Sequence, residues 1–307
     1  MSKPIHFAPL QGYTDDVYRR IHHELIGGIT TYYTPFVRME GSGVRSKDMR
    51  DIRPEFNEGV PVVPQIIVKS MKEFEYLVSV VEEKGYKDID INMGCPFPMQ
   101  AKHGRGSGLL AHTDIIQEIG QAIKEKLHLN FSVKMRLGWE NKDEWQPVLA
   151  ILNEVPLRHI TLHPRIGTQQ YKGTTDMGTF KKFYKSCEHP LIYNGDITTI
   201  ADIHRIETEY PNLAGIMIGR GLLARPTLAT EYASGKEFSW PERRELLHTM
   251  HERLKAHYET TANSEAQLHS HLRLFWEYME TEIGRKVYKK IMKAGNLKNY
   301  LAAVREV

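Results

Sequence analysis

Short apolar segments rich in β-branched residues alternate with amphipathic ones through eight rounds, and no other feature of the chain restricts its fold as strongly. The apolar segments fall at 5–10, 30–36, 60–68, 88–93, 131–137, 159–163, 190–194 and 215–218. Several are apolar at successive positions, as at Val62-Val63 and Ile66-Ile67. A strand covered on both faces reads this way, whereas a half-exposed hairpin strand alternates. Helical periodicity marks 15–26, 71–84, 114–126, 143–154, 179–187, 200–209 and 222–233. Strand–helix alternation over eight units, in about 240 residues, is the sequence form of an α/β fold, the (β/α)8 TIM barrel. A chain of 307 residues, 41% hydrophobic, suffices for that barrel and a small appended domain. Beyond 232–236 the strand pattern stops, and Ser239-Trp240-Pro241-Glu242 reads as a capping-box helix start. The rest reads as helices only. The expected division is a catalytic barrel over 1–236 and a small all-helical C-terminal domain over 237–307, with the boundary at 234–238.

No basic-then-apolar leader opens the sequence and no apolar run approaches membrane-spanning length, which predicts a soluble cytoplasmic protein. The only cysteines, Cys95 and Cys187, are far apart and lack zinc-ligand spacing, so neither a disulfide framework nor a metal site is expected. The overall balance of 41 Lys+Arg against 38 Asp+Glu says little about partners. Its distribution says more. Between 283 and 305 stand seven basic residues and no acidic one, and Arg285, Lys289 and Lys293 recur at i, i+4, i+8. Such a helix face suits an anionic ligand such as an RNA backbone; it is also what an ordinary solvated face looks like.

In a barrel of this kind the site is built at the C-terminal ends of the strands. There the sequence places, in chain order, Pro9-Leu10-Gln11-Gly12, Arg38, Gln65, Asn92-Met93-Gly94-Cys95, Lys134 with Arg136, His163 with Arg165, Asn194-Gly195-Asp196 and Gly219-Arg220-Gly221. The last two groups, after the seventh and eighth strands, fit a phosphate site of backbone N–H groups and an arginine, although glycines also end buried strands for steric reasons. Lys134, in a buried strand, needs an anionic partner: either a ligand or a carboxylate such as Asp90. His163 reads as a donor to a ligand or as a satisfied core residue. Gln65 and Asn92 carry paired donors and acceptors suited to a heteroaromatic edge. Cys95 precedes Pro96 in a loop facing the expected pocket, where a thiol can act as nucleophile, general acid or packing. The longest step between strand starts, from 88 to 131, also holds Gly104-Arg105-Gly106-Ser107-Gly108. Its permissive backbone suggests close approach to a ligand or movement as a lid.

Taken together these residues resemble the tRNA-dihydrouridine synthases, over essentially the whole chain. The opening Ala8-Pro9-Leu10-Gln11-Gly12-Tyr13-Thr14-Asp15 resembles the family's Ala-Pro-Met start, and Asp90-Ile91-Asn92-Met93-Gly94-Cys95-Pro96 its Asp-x-Asn-x-Gly-Cys-Pro segment. Residues 104–110, 133–139, His163-x-Arg165, Asn194-Gly195-Asp196 and 217–221 follow in the family's order. The resemblance implies FMN with Pro9 and Leu10 under the ring, Gln65 and Lys134 at its edge, His163 beside it, and Asn194, Gly195, Asp196, Gly219 and Arg220 at the phosphate. It implies NADPH as reductant, hydride delivery to uracil C6 in the D-loop of tRNA, and Cys95 as the general acid at C5. Asn92, Arg38, Arg136 and Arg165 would face the substrate, and the tail, resembling the family's tRNA-binding domain, would bring Arg285, Lys289 and Lys293 to the RNA. No membrane or metal partner is expected, and the chain is expected to act as a monomer.

The chain departs from the family pattern in two places. Leu10 replaces a methionine, and Pro164-Arg165-Ile166 replaces Gly-Arg-Thr, stiffening the turn that carries Arg165. Two other readings compete. An FMN barrel acting on dihydroorotate or an enone has no use for a basic helical tail, and a tRNA binder that has lost turnover has no reason to keep Cys95 and Lys134.

Overall fold

The computed structural model describes residues 2–307. All eight apolar segments are parallel strands of one sheet: β1 (Ile5–Phe7), β2 (Thr31–Tyr33), β3 in two pieces (Val62–Val63 and Gln65–Ile66), β4 (Asp88–Met93), β5 (Asn130–Gly138), β6 (Leu157–Ile166), β7 (Leu191–Asn194) and β8 (Gly215–Ile218). Pro64, which has no N–H to give, divides β3. Its first piece pairs with β2 (Tyr32↔Val62) and its second with β4 (Gln65↔Asp90), while β1 lies beside β8 (Ile5↔Ile216). The sheet therefore closes on itself. Residues such as Ile66, Ile91, Val133, Ile160 and Ile216 are fully buried, as strands covered on both faces require.

The outer layer consists of α1 (Asp16–Leu25), α2 (Ser46–Asp51), α3 (Met71–Glu83), α4 (Pro98–Ala101), α5 (Thr113–Lys124), α6 (Trp145–Asn153), α7 (Met177–Ser186), α8 (Ile200–Glu209), α9 (Arg220–Ala224) and α10 (Leu228–Ser234). Side-chain caps set several starts: Asp15 accepts from Tyr18 N at 3.0 Å, and Thr199 with Asp202 forms a full capping box on α8. The single helix expected over 222–233 is two, because Pro226 cannot continue α9. Before β3 the chain forms α2 and a hairpin (Met39–Glu40 with Gly43–Val44), neither carrying a periodic apolar stripe that would have announced it.

Five further helices follow: α11 (Trp240–Thr261), opened by the Ser239–Glu242 capping box, α12 (Glu265–Phe275), α13 (Glu280–Ile283), α14 (Arg285–Lys293) and α15 (Leu297–Val304). They pack around Leu247, Leu254, Leu272, Trp276 and Tyr300. The Tyr300 hydroxyl donates to Leu272 O (3.0 Å) and accepts from Trp276 Nε1 (3.0 Å), with His251 Nε2 at 2.7 Å, so Tyr300 joins Trp276 and His251 in one buried polar cluster. The helices dock on the barrel through Tyr258 Oη, which donates to Asp15 Oδ2 (3.1 Å), an Arg253–Glu24 ion pair, and the Tyr13 and Tyr278 rings at 5.3 Å. Among the described residues no helix is long and apolar enough to cross a membrane.

Candidate active site

A cavity of about 1340 Å³ opens at the C-terminal ends of the strands. Its wall brings together Pro9, Leu10, Asn92, Cys95, Lys134, Arg136, His163, Asn194, Gly195, Asp196, Gly219 and Arg220, which come from six of the eight strand ends. Gln65, Arg38 and Arg165 do not line it, and Arg285, Lys289 and Lys293 are exposed on α14 away from its wall.

Cys95 sits at the cavity because the turn after β4 is locked. Asn92 Oδ1 accepts from Gly94 N (3.0 Å) and Cys95 N (2.8 Å), and Ser107 donates to Cys95 O through N (3.1 Å) and Oγ (2.9 Å). The glycine cluster packs behind this turn. A Cβ on Gly106 (φ +58°) would lie 2.7 Å from Cys95 Cβ, and one on Gly108 would lie 2.0 Å from Ala101 O. Only glycine permits such contact. Gly106 and Gly108 thus do not face a ligand as expected: both are buried, Gly106 directly behind Cys95 and Gly108 against Ala101. Burial pushes the Cys95 thiol up, partly offset by the Phe97 backbone and the charges of Arg136 and Lys134, so it stays protonated at neutral pH.

Lys134 also reaches the cavity wall. Asp90 does not neutralise it by direct contact, since that carboxylate accepts from Ser132 Oγ (2.6 Å) and Gln65 Nε2 (2.7 Å). Burial, reinforced by Arg136, pulls the ammonium down to about 8. A half-buried cation without an acid to hold it is matched by an anionic or acceptor-rich ligand edge. Gln65, expected at that edge, is instead wholly buried and committed: its amide bridges Asp90 and Asn92, whose Nδ2 donates to Gln65 Oε1 at 2.7 Å. The chain Ser132–Asp90–Gln65–Asn92 therefore holds the Cys95 turn from behind.

His163 lines the cavity, and burial with the surrounding cations holds its imidazole well below the ordinary range, hence neutral. Arg165 Nη1 lies 3.2 Å from His163 Nε2. A guanidinium can only donate, so Nε2 accepts and the ring proton resides on Nδ1. Arg165 spends the rest of its fork on Asp196 (2.8 and 2.5 Å) and Gly173 O (2.6 Å). It faces its neighbours, not a substrate, and Pro164 accepts from Asp176 N (2.8 Å) in the same wall. Arg136 is similarly engaged, with Gly94 O (3.0 Å), Ile166 O (3.0 Å) and Gln170 O (2.7 Å), although its edge reaches the cavity. Arg38 Nη2 donates to Glu40 at 2.9 Å.

At the far end, Gly219 caps α9, whose first N–H groups have no preceding turn to bond. A Cβ there would crowd Ala8 Cβ (3.3 Å) and Leu10 Cδ1 (3.4 Å), and Gly195 (φ +145°) and Asp196 (φ 45°) turn the neighbouring chain. Arg220 Nη2 donates to Asp196 Oδ1 at 3.3 Å. Among the described residues no group of three or more His, Cys, Asp or Glu could hold a metal ion.

Sequence reasoning missed several wall residues. Tyr171, in the loop after β6, stacks under Arg220 (4.3 Å to its ring centroid), and Tyr278, Thr281 and Glu282 close the cavity from the helical tail. Glu282 also accepts from Arg243 Nε at 2.5 Å. Tyr278 lies in the stretch read only as helical, and nothing in that reading marked it as a wall residue.

The family model described as dihydrouridine synthase (Dus) matches residues 6–306. The chain belongs to the dihydrouridine synthase family. Among relatives in the family, it is similar to "Probable tRNA-dihydrouridine synthase 2" of Bacillus subtilis (strain 168), at 30% identity over 82% of this chain and 77% of that one. It is also similar to the tRNA-dihydrouridine(16) synthase of Neisseria meningitidis serogroup A, at 28% identity over 73% of this chain and 69% of that one. Solved structures share the fold. A 2-naphthoyl-CoA reductase complex superposes with a TM-score of 0.55 at 10% identity, covering 76% of this dihydrouridine synthase family member and 50% of that chain. A morphinone reductase variant in complex with tetrahydroNAD gives 0.54 at 8% identity, covering 76% and 87%.

Proposed function

We propose that this protein is a tRNA-dihydrouridine synthase that reduces the C5–C6 double bond of a D-loop uridine, using FMN and NADPH. The observation that carries the reading is one cavity shared by a protonated thiol, a lysine without a carboxylate of its own and a glycine-bounded helix start. The wall fits FMN. Lys134 awaits an electron-rich edge, Gly219 leaves an approach that a Cβ would narrow, and Leu10 and Pro9 offer an apolar seat. Pro9, Leu10, Lys134 and His163 would hold the ring; Asn194, Gly195, Asp196, Gly219 and Arg220 would hold the phosphate.

Bound and reduced, FMN supplies the hydride for uracil C6. Cys95 donates its proton to C5 and is reprotonated from solvent, so one NADPH and one proton are consumed per uridine. His163 offers an Nδ1–H donor of fixed tautomer. Asn92, Gln65, Arg136 and Arg165 act through others, by holding the Cys95 turn, the loop after β6 and His163. In this reading the protein acts on tRNA as a monomer in the cytoplasm.

Residues 237–307 form the tRNA-binding part in this reading. Arg285 lies 3.7 Å from Glu280, whereas Lys289 and Lys293 form no ion pair among the described residues and are exposed one turn apart on α14. Formation of dihydrouridine in unmodified tRNA by the FMN-loaded protein with NADPH is the test of the whole proposal.

Lys134 supplies a pH signature. Its charged form is the one that holds the anionic edge of reduced FMN, and in the ligand-free site it loses that charge above about 8. Retention of reduced FMN is therefore level below that pH and falls as pH rises through it, by up to about tenfold per pH unit. Anaerobic binding titrations from about pH 7 to about pH 9.5 measure this, and Lys134→Met should flatten the profile. A wild-type profile as flat as the variant's would remove Lys134 from the flavin edge.

A further inference from the structure

The large exposed apolar side chains of this molecule are unevenly placed. Among the described residues they are Phe97 (57% exposed), Met99 (67%), Tyr171 (47%) and Leu127. Leu127 lies on the turn before β5, at the opposite end of the barrel from the cavity. The other three lie on the two loops that flank the cavity mouth. Phe97 and Tyr171 both line it, and Met99 follows Phe97 by two residues in α4. Arg136 ties the two loops together, donating to Gly94 O (3.0 Å) and facing the Tyr171 ring at 5.4 Å.

Nothing in the fold requires Phe97 to be exposed. Its neighbour Ala101 is buried and Gln100 is turned inward, so α4 has an inner face that Phe97 and Met99 do not use. Lys102 and His103 follow directly, both exposed, and Lys69 stands across from Gly104. An aromatic ring and a methionine bordered by the lysines Lys69 and Lys102 match a single-stranded nucleic acid, whose bases stack while its phosphates are neutralised. A lipid surface or an apolar peptide would need a wider apolar patch than two side chains supply.

We infer that Phe97, supported by Met99, is a stacking platform for the base next to the target uridine, holding the strand open while the uridine enters beside Cys95. This rests on the tRNA-dihydrouridine synthase reading. Phe97 is a positioning residue in this account: it takes no part in proton or hydride transfer and acts on the substrate's geometry. Extruding a base exposes the stacking faces of its neighbours, and a ring at the rim replaces what is lost. The platform starts two residues after the thiol, a backbone reach of at most about 7 Å, which is why the stacked base is assigned to a nucleotide next to the reacting uracil.

The test is steady-state kinetics on unmodified tRNA transcripts with Phe97→Ala, Phe97→Trp and Met99→Ala, at several salt concentrations, with FMN content and thermal midpoint as folding controls. Phe97→Ala should raise KM for tRNA about tenfold, within the range expected for one stacked base. Phe97→Trp should restore it, and Met99→Ala should show a smaller rise. Because stacking involves no counterion release, the fold-change for Phe97→Ala should stay constant across salt. An active wild type with Phe97→Ala equal to it overturns the platform alone. So does a KM rise that fades with salt, which would make the site electrostatic, and so does loss of FMN from Phe97→Ala, which would make the ring part of the flavin pocket. A flavin-loaded wild type that forms no dihydrouridine overturns the underlying reading together with this inference.

Discussion

Cys95→Ala retains FMN and slows dihydrouridine formation by about 10²- to 10⁴-fold, the loss expected when a positioned general acid is removed. The thiol is suited to this role because burial keeps it protonated and the Asn92 and Ser107 hydrogen bonds fix its turn. The substitution removes one sulfur atom from a half-buried position and leaves every backbone bond of the turn intact, so folding should be little affected. Flavin content and single-turnover formation of dihydrouridine are the measurements. A variant with full flavin and unchanged turnover would show that the C5 proton comes from elsewhere.

Reversal of Lys289 and Lys293 to glutamate raises the KM for tRNA by about 10- to 100-fold at low salt and leaves the flavin site untouched. Each phosphate contact contributes roughly 0.7–0.9 to the slope of log affinity against log salt, so losing two should reduce that slope by about 1.4–1.8. The two side chains are exposed one turn apart on a helix whose inner face is anchored by Ile291. Their replacement therefore tests charge and not packing. Binding measured across a salt series checks it, and a variant with the wild-type slope would place the RNA on another surface.

The barrel was legible because strands buried on both faces leave uninterrupted apolar runs, and all eight strands fell where those runs lie. What periodicity could not carry was the second connection, whose short helix and hairpin hold few core residues, and the break at Pro226. In the site, residues contiguous with a strand end, such as Cys95, Lys134, His163 and Gly219, could be placed at the cavity from position alone. The partners of polar groups could not. Gln65 is bonded to Asp90, 25 residues away, and Arg136 to Gly94, 42 residues away. Read singly, each of these side chains looks free to meet a ligand. Arg165 is a further case: its two terminal nitrogens are bonded to Asp196, Gly173 and His163, which only folding brings near. Tyr171 and Tyr278 stayed hidden because a loop and a distant helix pair become neighbours only once the tail docks.

The roles separate along the same lines. Cys95 and Lys134 reach the cavity with no side-chain partner and are assigned chemistry and ligand contact, whereas Gln65, Arg136 and Arg165 are bonded to neighbouring residues and are assigned to holding the site; His163, Asn194, Asp196 and Arg220 are both bonded and assigned ligand contact. Phe97 belongs to neither group, because it is exposed and borders the opening.

Mass mapping of an unmodified tRNA after incubation with the FMN-loaded protein and NADPH tests the central claim most directly. The account predicts one D-loop uridine heavier by two hydrogens, with NADPH consumed in equal amount and no gain when Cys95→Ala replaces the wild type under the same brief incubation. An unchanged tRNA in the presence of protein whose flavin is demonstrably reduced by NADPH would contradict it.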